Sequence, residues 1–154
     1  MANRIKTTTT DTAAPALFWS TLVFTILGVA DAVYLLIFKL TGNPHMCLGN
    51  GGCHNVNFSP YAEIKGIPVS VFGICAYFAI LCILVLEARV KIAKENGPLV
   101  IFGISLGGVA FAAYLTYLEI YVIQAICPFC VFSAIAITII FILAIIRLVK
   151  QTAN

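Results

Sequence analysis

Four cysteines, in two pairs, carry the chemistry open to this sequence. Cys47 and Cys53 are separated by five residues in MCLGNGGCHN, and Cys127 and Cys130 form a CPFC motif. Thiol–disulfide exchange runs by thiolate attack through a mixed disulfide, so two pairs that meet can hand two electrons from one to the other. Pro128 suits the first turn of a helix and puts Cys127 near its cap, where the helix dipole and free amides favour a thiolate. Cys130 follows one turn deeper on the same face, looking into the interior. In the loop, Gly49, Gly51 and Gly52 permit positive φ and a mobile turn, so Cys47 and Cys53 can close a short disulfide or swing apart. His45 and His54 flank that pair; solvated loop residues are the plainer reading, assistance to deprotonation the other. Two thiol pairs can also hold zinc, or each can close a structural disulfide. The Cys47 to Cys53 spacing is wider than the usual zinc pattern, so exchange is preferred and no metal is assigned.

The composition decides what kind of elements hold these residues. Hydrophobic residues make up 62% of the chain and charged ones 10%, with a mean hydropathy of +1.06, which describes an integral membrane protein. At about twenty residues per crossing of roughly 30 Å of hydrocarbon, four spans fill the chain: residues 17–38, 67–86, 98–123 and 127–146. The expected fold is therefore an all-α bundle of four transmembrane helices over residues 17–147, with no room for a soluble second domain. Residues 1–16 are polar and threonine-rich and read as a flexible cytoplasmic tail; residues 148–154 form a second, short tail. A cleavable leader is the competing reading of the start, because Ala30-Asp31-Ala32 imitates a cleavage site, but the apolar run continues to Phe38. The uncharged stretch 120–146 is 27 residues, too short for two crossings, so the third and fourth spans are joined tightly.

Positive charge sets the orientation. Arg4, Lys6, Arg89, Lys91, Lys94, Arg147 and Lys150 fall on one side and only Lys39 and Lys65 on the other. Both termini are then cytoplasmic, and the 40–66 loop and the turn before Cys127 face the periplasm or a lumen, where disulfides persist. The net charge of +3 follows from this bias and calls for no nucleic-acid partner. Cys75 and Cys82, seven residues apart in the second span, read as small apolar residues of the bundle core.

Other positions have two readings each. Ser59 before Pro60, with Glu63 in the first turn and Gly66 and Pro68 as a stop, describes a short capped surface helix between spans one and two; the alternative is a Ser59 hydroxyl held over an active cavity. Glu119 lies near CPFC and can relay protons, or is incidental at the interface. Asp31 lies deeper, with no partner that the sequence names. Gly103 and Gly107 read as a small-xxx-small helix contact.

A loop cysteine pair, a serine before a Gly-x-Pro entry to the second span, and CxxC opening the fourth, in that order and on one membrane side, resemble the vitamin K epoxide reductase family over about residues 17–147. The resemblance implies a four-helix bundle around a quinone such as ubiquinone, menaquinone, plastoquinone or phylloquinone. It makes Cys47 and Cys53 the shuttle pair, Cys127 and Cys130 the redox centre, and Ser59 a neighbour of the quinone. Cys47 takes electrons from a partner, Cys53 attacks the second disulfide at Cys127, and Cys130 engages the quinone. Vertebrate members carry asparagine and tyrosine where Val69 and Ala134 stand here, which counts against epoxide reduction. Many bacterial members carry a fused thioredoxin-like domain; this chain ends soon after the last span, so a separate thioredoxin-like, DsbA-like partner is expected. The resulting expectation is a disulfide-generating thiol:quinone oxidoreductase of a prokaryotic plasma membrane or a thylakoid-type membrane. A vitamin K quinone or epoxide reductase and a non-enzymatic metal-binding membrane protein are the rivals, while a DsbB-type enzyme would have the motif order reversed.

Overall fold

The computed structural model of the protein describes residues 2–43 and 52–153. Four long helices dominate it: α1 (Ala2–Thr41), α3 (Val69–Arg89), α4 (Lys91–Tyr117) and α5 (Pro128–Thr152). Hydrocarbon offers backbone amides no partner, so apolar segments of this length satisfy their hydrogen bonds internally as helices. The parts long and apolar enough to cross a membrane are Pro15–Thr41, Val69–Arg89, Lys94–Ile123 and Pro128–Thr152, one for each expected span and a few residues longer at most ends. Each helix packs on two others, in the ring α1, α3, α4, α5 and back to α1. Segment 2–16, expected as an irregular tail, instead continues α1 with Pro15 inside it. Extending an existing helix costs little once it is nucleated.

The 40–66 loop carries α2 (Gly52–Asn57) and a 3-10 turn at Pro60–Ala62. The surface helix expected after Ser59 is thus a single turn. Glu63 leaves it for β1 (Glu63–Ile64), which pairs antiparallel with β2 (Ile67–Pro68). Lys65 and Gly66 both have positive φ, 53° and 82°, as a two-residue hairpin turn requires. Lys39 near the end of α1 ties this cap down: its Nζ donates to the Asn57 carbonyl at 2.5 Å and pairs with Glu63 at 3.0 Å.

The core falls into two clusters. Ile80, Leu84, Ile101, Ile140 and their neighbours fill the middle of the bundle, and Leu35, Phe38, Cys53 and Cys127 form a smaller one at the cysteine end. Cys75 and Cys82 belong to neither. They are exposed on the outer face of α3, which corrects their assignment to the core. Nor do Gly103 and Gly107 make a close helix contact, since nothing lies within 4 Å of a β-carbon built on either. Close approaches are made instead by other glycines, among them Gly28 against the Tyr77 ring and Gly108 against Ile137.

At the far end α3 runs past the expected boundary, bringing Glu87 inside the bundle, where Arg147 of α5 donates to its carboxylate. The Glu87 side chain is only 2% exposed. Breaking a buried pair strands the remaining charge and costs about 3 kcal/mol or more. Arg147→Ala should therefore lower the thermal unfolding midpoint in detergent clearly, and an unchanged midpoint would mean that Glu87 reaches water in the folded protein.

Candidate active site

The short helix α2 delivers Cys53 to the start of α5. Gly52 makes the approach possible: a β-carbon there would lie 2.3 Å from the Ile126 carbonyl oxygen. Its part is therefore close contact at a helix start, in place of the positive φ and mobile turn expected of it, and Cys53 is helical. Leu35, Phe38, Val56 and Phe129 close around the sulfurs, leaving Cys53 at 1% and Cys127 at 0% exposure. Their Sγ atoms are 3.5 Å apart. At that distance a thiolate on one is in contact with a disulfide sulfur on the other. Cys47 and His45 lie outside the described residues. His54 is exposed and lies in α2, in place of the loop expected for it, stacked on Phe58.

Cys127 occupies the N-cap position of α5 with Pro128 behind it, as the motif suggested. The hydrogen bond with the Cys130 thiol is the largest cause holding Cys127 down from its ordinary 9.0 to about 7; burial and Glu119 oppose it, while the Cys130 amide and the Cys53 side chain add to it. A depressed thiol is ionised at lower pH, so Cys127 is more readily thiolate near neutral pH than an ordinary thiol, which is mostly protonated there. Alkylation of Cys127 in the reduced protein, followed by peptide mass against pH, should have its midpoint near 7. Cys130→Ala removes the largest cause and should move the midpoint upward; a wild-type midpoint near 9 would contradict this account.

Cys130 is half-buried and, unlike Cys127, lines a cavity of about 370 Å³. Ser59, Val69, Ala134 and Glu119 line the same cavity, so the residues singled out in the sequence converge on it. Ser59 makes no capping bond; its hydroxyl donates to the Val56 carbonyl at 2.7 Å. Glu119 arrives by a π-helical turn at Leu118–Ile123, after which the chain reverses at Gln124 with φ 53°. That reversal lets the Cys127 amide donate to the Glu119 carboxylate at 3.3 Å, and the Cys130 thiol also hydrogen-bonds it. Glu119 is 4% exposed, packed inside the protein. Among the described residues no group of three or more His, Cys, Asp and Glu side chains is arranged to hold a metal ion.

Several neighbours escaped the sequence reading. Asn57 bridges the two cysteine elements, its amide donating to the Cys53 carbonyl at 3.0 Å and reaching Cys127 Sγ at 4.0 Å. Tyr77 donates to the Ser133 carbonyl at 2.9 Å, and Ser133 is the hydrogen-bond partner of Asp31. Ser133, one turn beyond Cys130, had a legible signal in its i+3 spacing, and Asn57 had one in its i+4 spacing from Cys53; the contacts of Asn57 with Cys127 and of Tyr77 with Ser133 had none, because those partners are distant in the chain.

Comparison with known proteins adds to this geometry. Residues 19–145 match the profile of the Vitamin K epoxide reductase family. The thiol-disulfide oxidoreductase LTO1 of Arabidopsis thaliana is 33% identical to the chain over 92 residues, which cover 54% of this chain and 24% of that protein. The chain thus spans about a quarter of that relative's length.

Proposed function

Because the chain belongs to the vitamin K epoxide reductase family, we propose that it is a membrane thiol:quinone oxidoreductase that oxidises a thioredoxin-like (DsbA-like) dithiol and reduces a membrane quinone. The observation that carries this reading is the 3.5 Å approach of Cys53 to Cys127, with Cys130 turned from that contact into the cavity. One cysteine of CPFC thus meets Cys53 and the other lines the cavity.

The steps balance. A partner dithiol reduces the Cys47 to Cys53 disulfide. The Cys53 thiolate then attacks Cys127: a bond forms between those sulfurs, the bond between Cys127 and Cys130 breaks, and the electron pair goes to Cys130. Cys47 then displaces Cys127 from Cys53, restoring the bond between Cys47 and Cys53 and leaving Cys127 and Cys130 both reduced; the bond between Cys127 and Cys130 closes again as quinone accepts their two electrons and two protons, the partner having left as a disulfide. The cavity fits such a substrate, since its volume falls within the roughly 300–1,000 Å³ of small-molecule sites and its lining is mainly apolar. The side chains of Val69 and Ala134 offer no hydrogen bond to a bound ring, which favours a plain quinone over an epoxide. Ser59 and Glu119 stand at its polar edge, and Glu119, bonded to the Cys130 thiol, is suited to carry that thiol's proton. Glu119→Gln should slow quinol formation severalfold while leaving exchange between Cys53 and Cys127 intact; equal slowing of both would assign Glu119 to positioning alone.

The excess of Lys and Arg at the opposite end supports a cysteine end facing the periplasm or a lumen, in a prokaryotic plasma membrane or a thylakoid-type membrane. The test mixes the solubilised protein with a reduced thioredoxin-like protein and a short-chain quinone and follows quinol. Catalytic quinol formation supports the reading. No quinol, together with stoichiometric zinc on the purified protein, overturns it in favour of a metal site.

A further inference from the structure

We propose that Asn57 is a catalytic residue of the thiol exchange, its side-chain amide donating to the Cys127 sulfur as that sulfur leaves the bond with Cys53. The inference rests on the relay read above and names a residue which that relay does not use.

Three contacts hold Asn57 in place. Its backbone carbonyl accepts from Lys39 Nζ at 2.5 Å, fixing the end of α2 to α1. Its side-chain nitrogen donates to the Cys53 carbonyl one helical turn back, at 3.0 Å. An amide nitrogen carries two hydrogens, and the same atom lies 4.0 Å from Cys127 Sγ, within reach of a long hydrogen bond to sulfur. The rotamer that binds Cys53 thus aims the amide across the gap between α2 and α5.

Donors matter here because Cys127 is fully buried; the Cys130 backbone amide supplies one from its own helix, and the Asn57 amide adds a second from across the gap. Consider the step that resolves the mixed disulfide. The Cys47 thiolate attacks Cys53 Sγ; the bond between Cys47 and Cys53 forms, the bond between Cys53 and Cys127 breaks, and the electron pair stays on Cys127. Cys53 is then in a disulfide and has no S–H to offer, and Cys130, which took the electron pair in the preceding step, faces Glu119 as its own hydrogen-bond partner. The Asn57 amide takes no part in electron transfer, so it remains available to the departing thiolate throughout. A buried anion without a donor is costly, whereas a hydrogen bond to a charged group is stronger than a neutral one.

The test uses the full chain with Cys130→Ser, in which the disulfide between Cys53 and Cys127 accumulates. Release of Cys127 after addition of dithiothreitol is followed by acid quench and maleimide labelling, with native Asn57, Asn57→Leu and the nearly isosteric Asn57→Asp. Both substitutions should slow release about tenfold, the scale of one hydrogen bond to a charged group. The amount of disulfide trapped should stay as with Asn57, and the alkylation midpoint of Cys127 in otherwise native protein should rise. Release at the native rate overturns the proposal. So does slowing that comes with loss of the trapped disulfide, which would make Asn57 a packing residue. Failure to trap any disulfide with native Asn57 would instead overturn the relay itself.

Discussion

Cys130→Ala should bring quinol formation down to the uncatalysed background while the protein still forms a bond between Cys53 and Cys127. The two outcomes separate because the two cysteines of CPFC face different spaces. Cys127 is fully buried against Cys53, and Cys130 lines the cavity with Glu119. Without Cys130 the electron pair that enters at Cys53 has no sulfur from which to reach the cavity. Cys53→Ala and Cys127→Ala should reach the same background rather than fractions of it, because members of one relay are not additive. The mutants still differ in one respect. Oxidation by quinone of the protein's own thiols survives in Cys53→Ala, where Cys127 and Cys130 remain a pair, and is lost in Cys130→Ala. Quinol formation by Cys130→Ala at more than background would move the electron exit to another group and end the assignment of the cavity.

How far this site could be read in advance depended on whether each signal was local. Pro128 beside Cys127 is a local signal, and the N-cap position followed from it. Ser59 and Glu119 were picked singly, Val69 and Ala134 only through the family resemblance, and their convergence on one cavity with Cys130 is tertiary. Cys75 and Cys82 failed for a definite reason. Their spacing says that they share a face, but α3 is apolar on every side, so the pattern carries no direction, and the face they share is the outer one. Glu87 falls one residue past the expected 67–86 span. Arg147, 60 residues away, accompanies it inside, and no window along α3 contains that information. Gly52 was misread for the opposite reason. Glycine-rich sequence suggests mobility, and the same lack of a side chain equally serves a tight contact.

Gly52→Ala should cut turnover about a hundredfold although it alters no reacting group. The added β-carbon would lie 2.3 Å from the Ile126 carbonyl oxygen, which is backbone and immediately precedes Cys127. Relief requires α2 to withdraw by about 1 Å, and a misplacement of that size at a reacting centre costs on the order of 10²-fold. Cys53 moves with α2 because it is the next residue, so the 3.5 Å separation from Cys127 widens directly. The hydrogen bond of Lys39 to the Asn57 carbonyl resists a simple pivot, since it fixes the other end of the same six-residue helix. The loss should therefore appear in the yield of the disulfide between Cys53 and Cys127 trapped in a Cys130→Ser background. Oxidation by quinone of the Cys127 and Cys130 pair, in otherwise native protein reduced beforehand, should keep its normal rate. Normal turnover in Gly52→Ala would show that α2 swings freely in solution, and the resting contact would then say little about the transfer step.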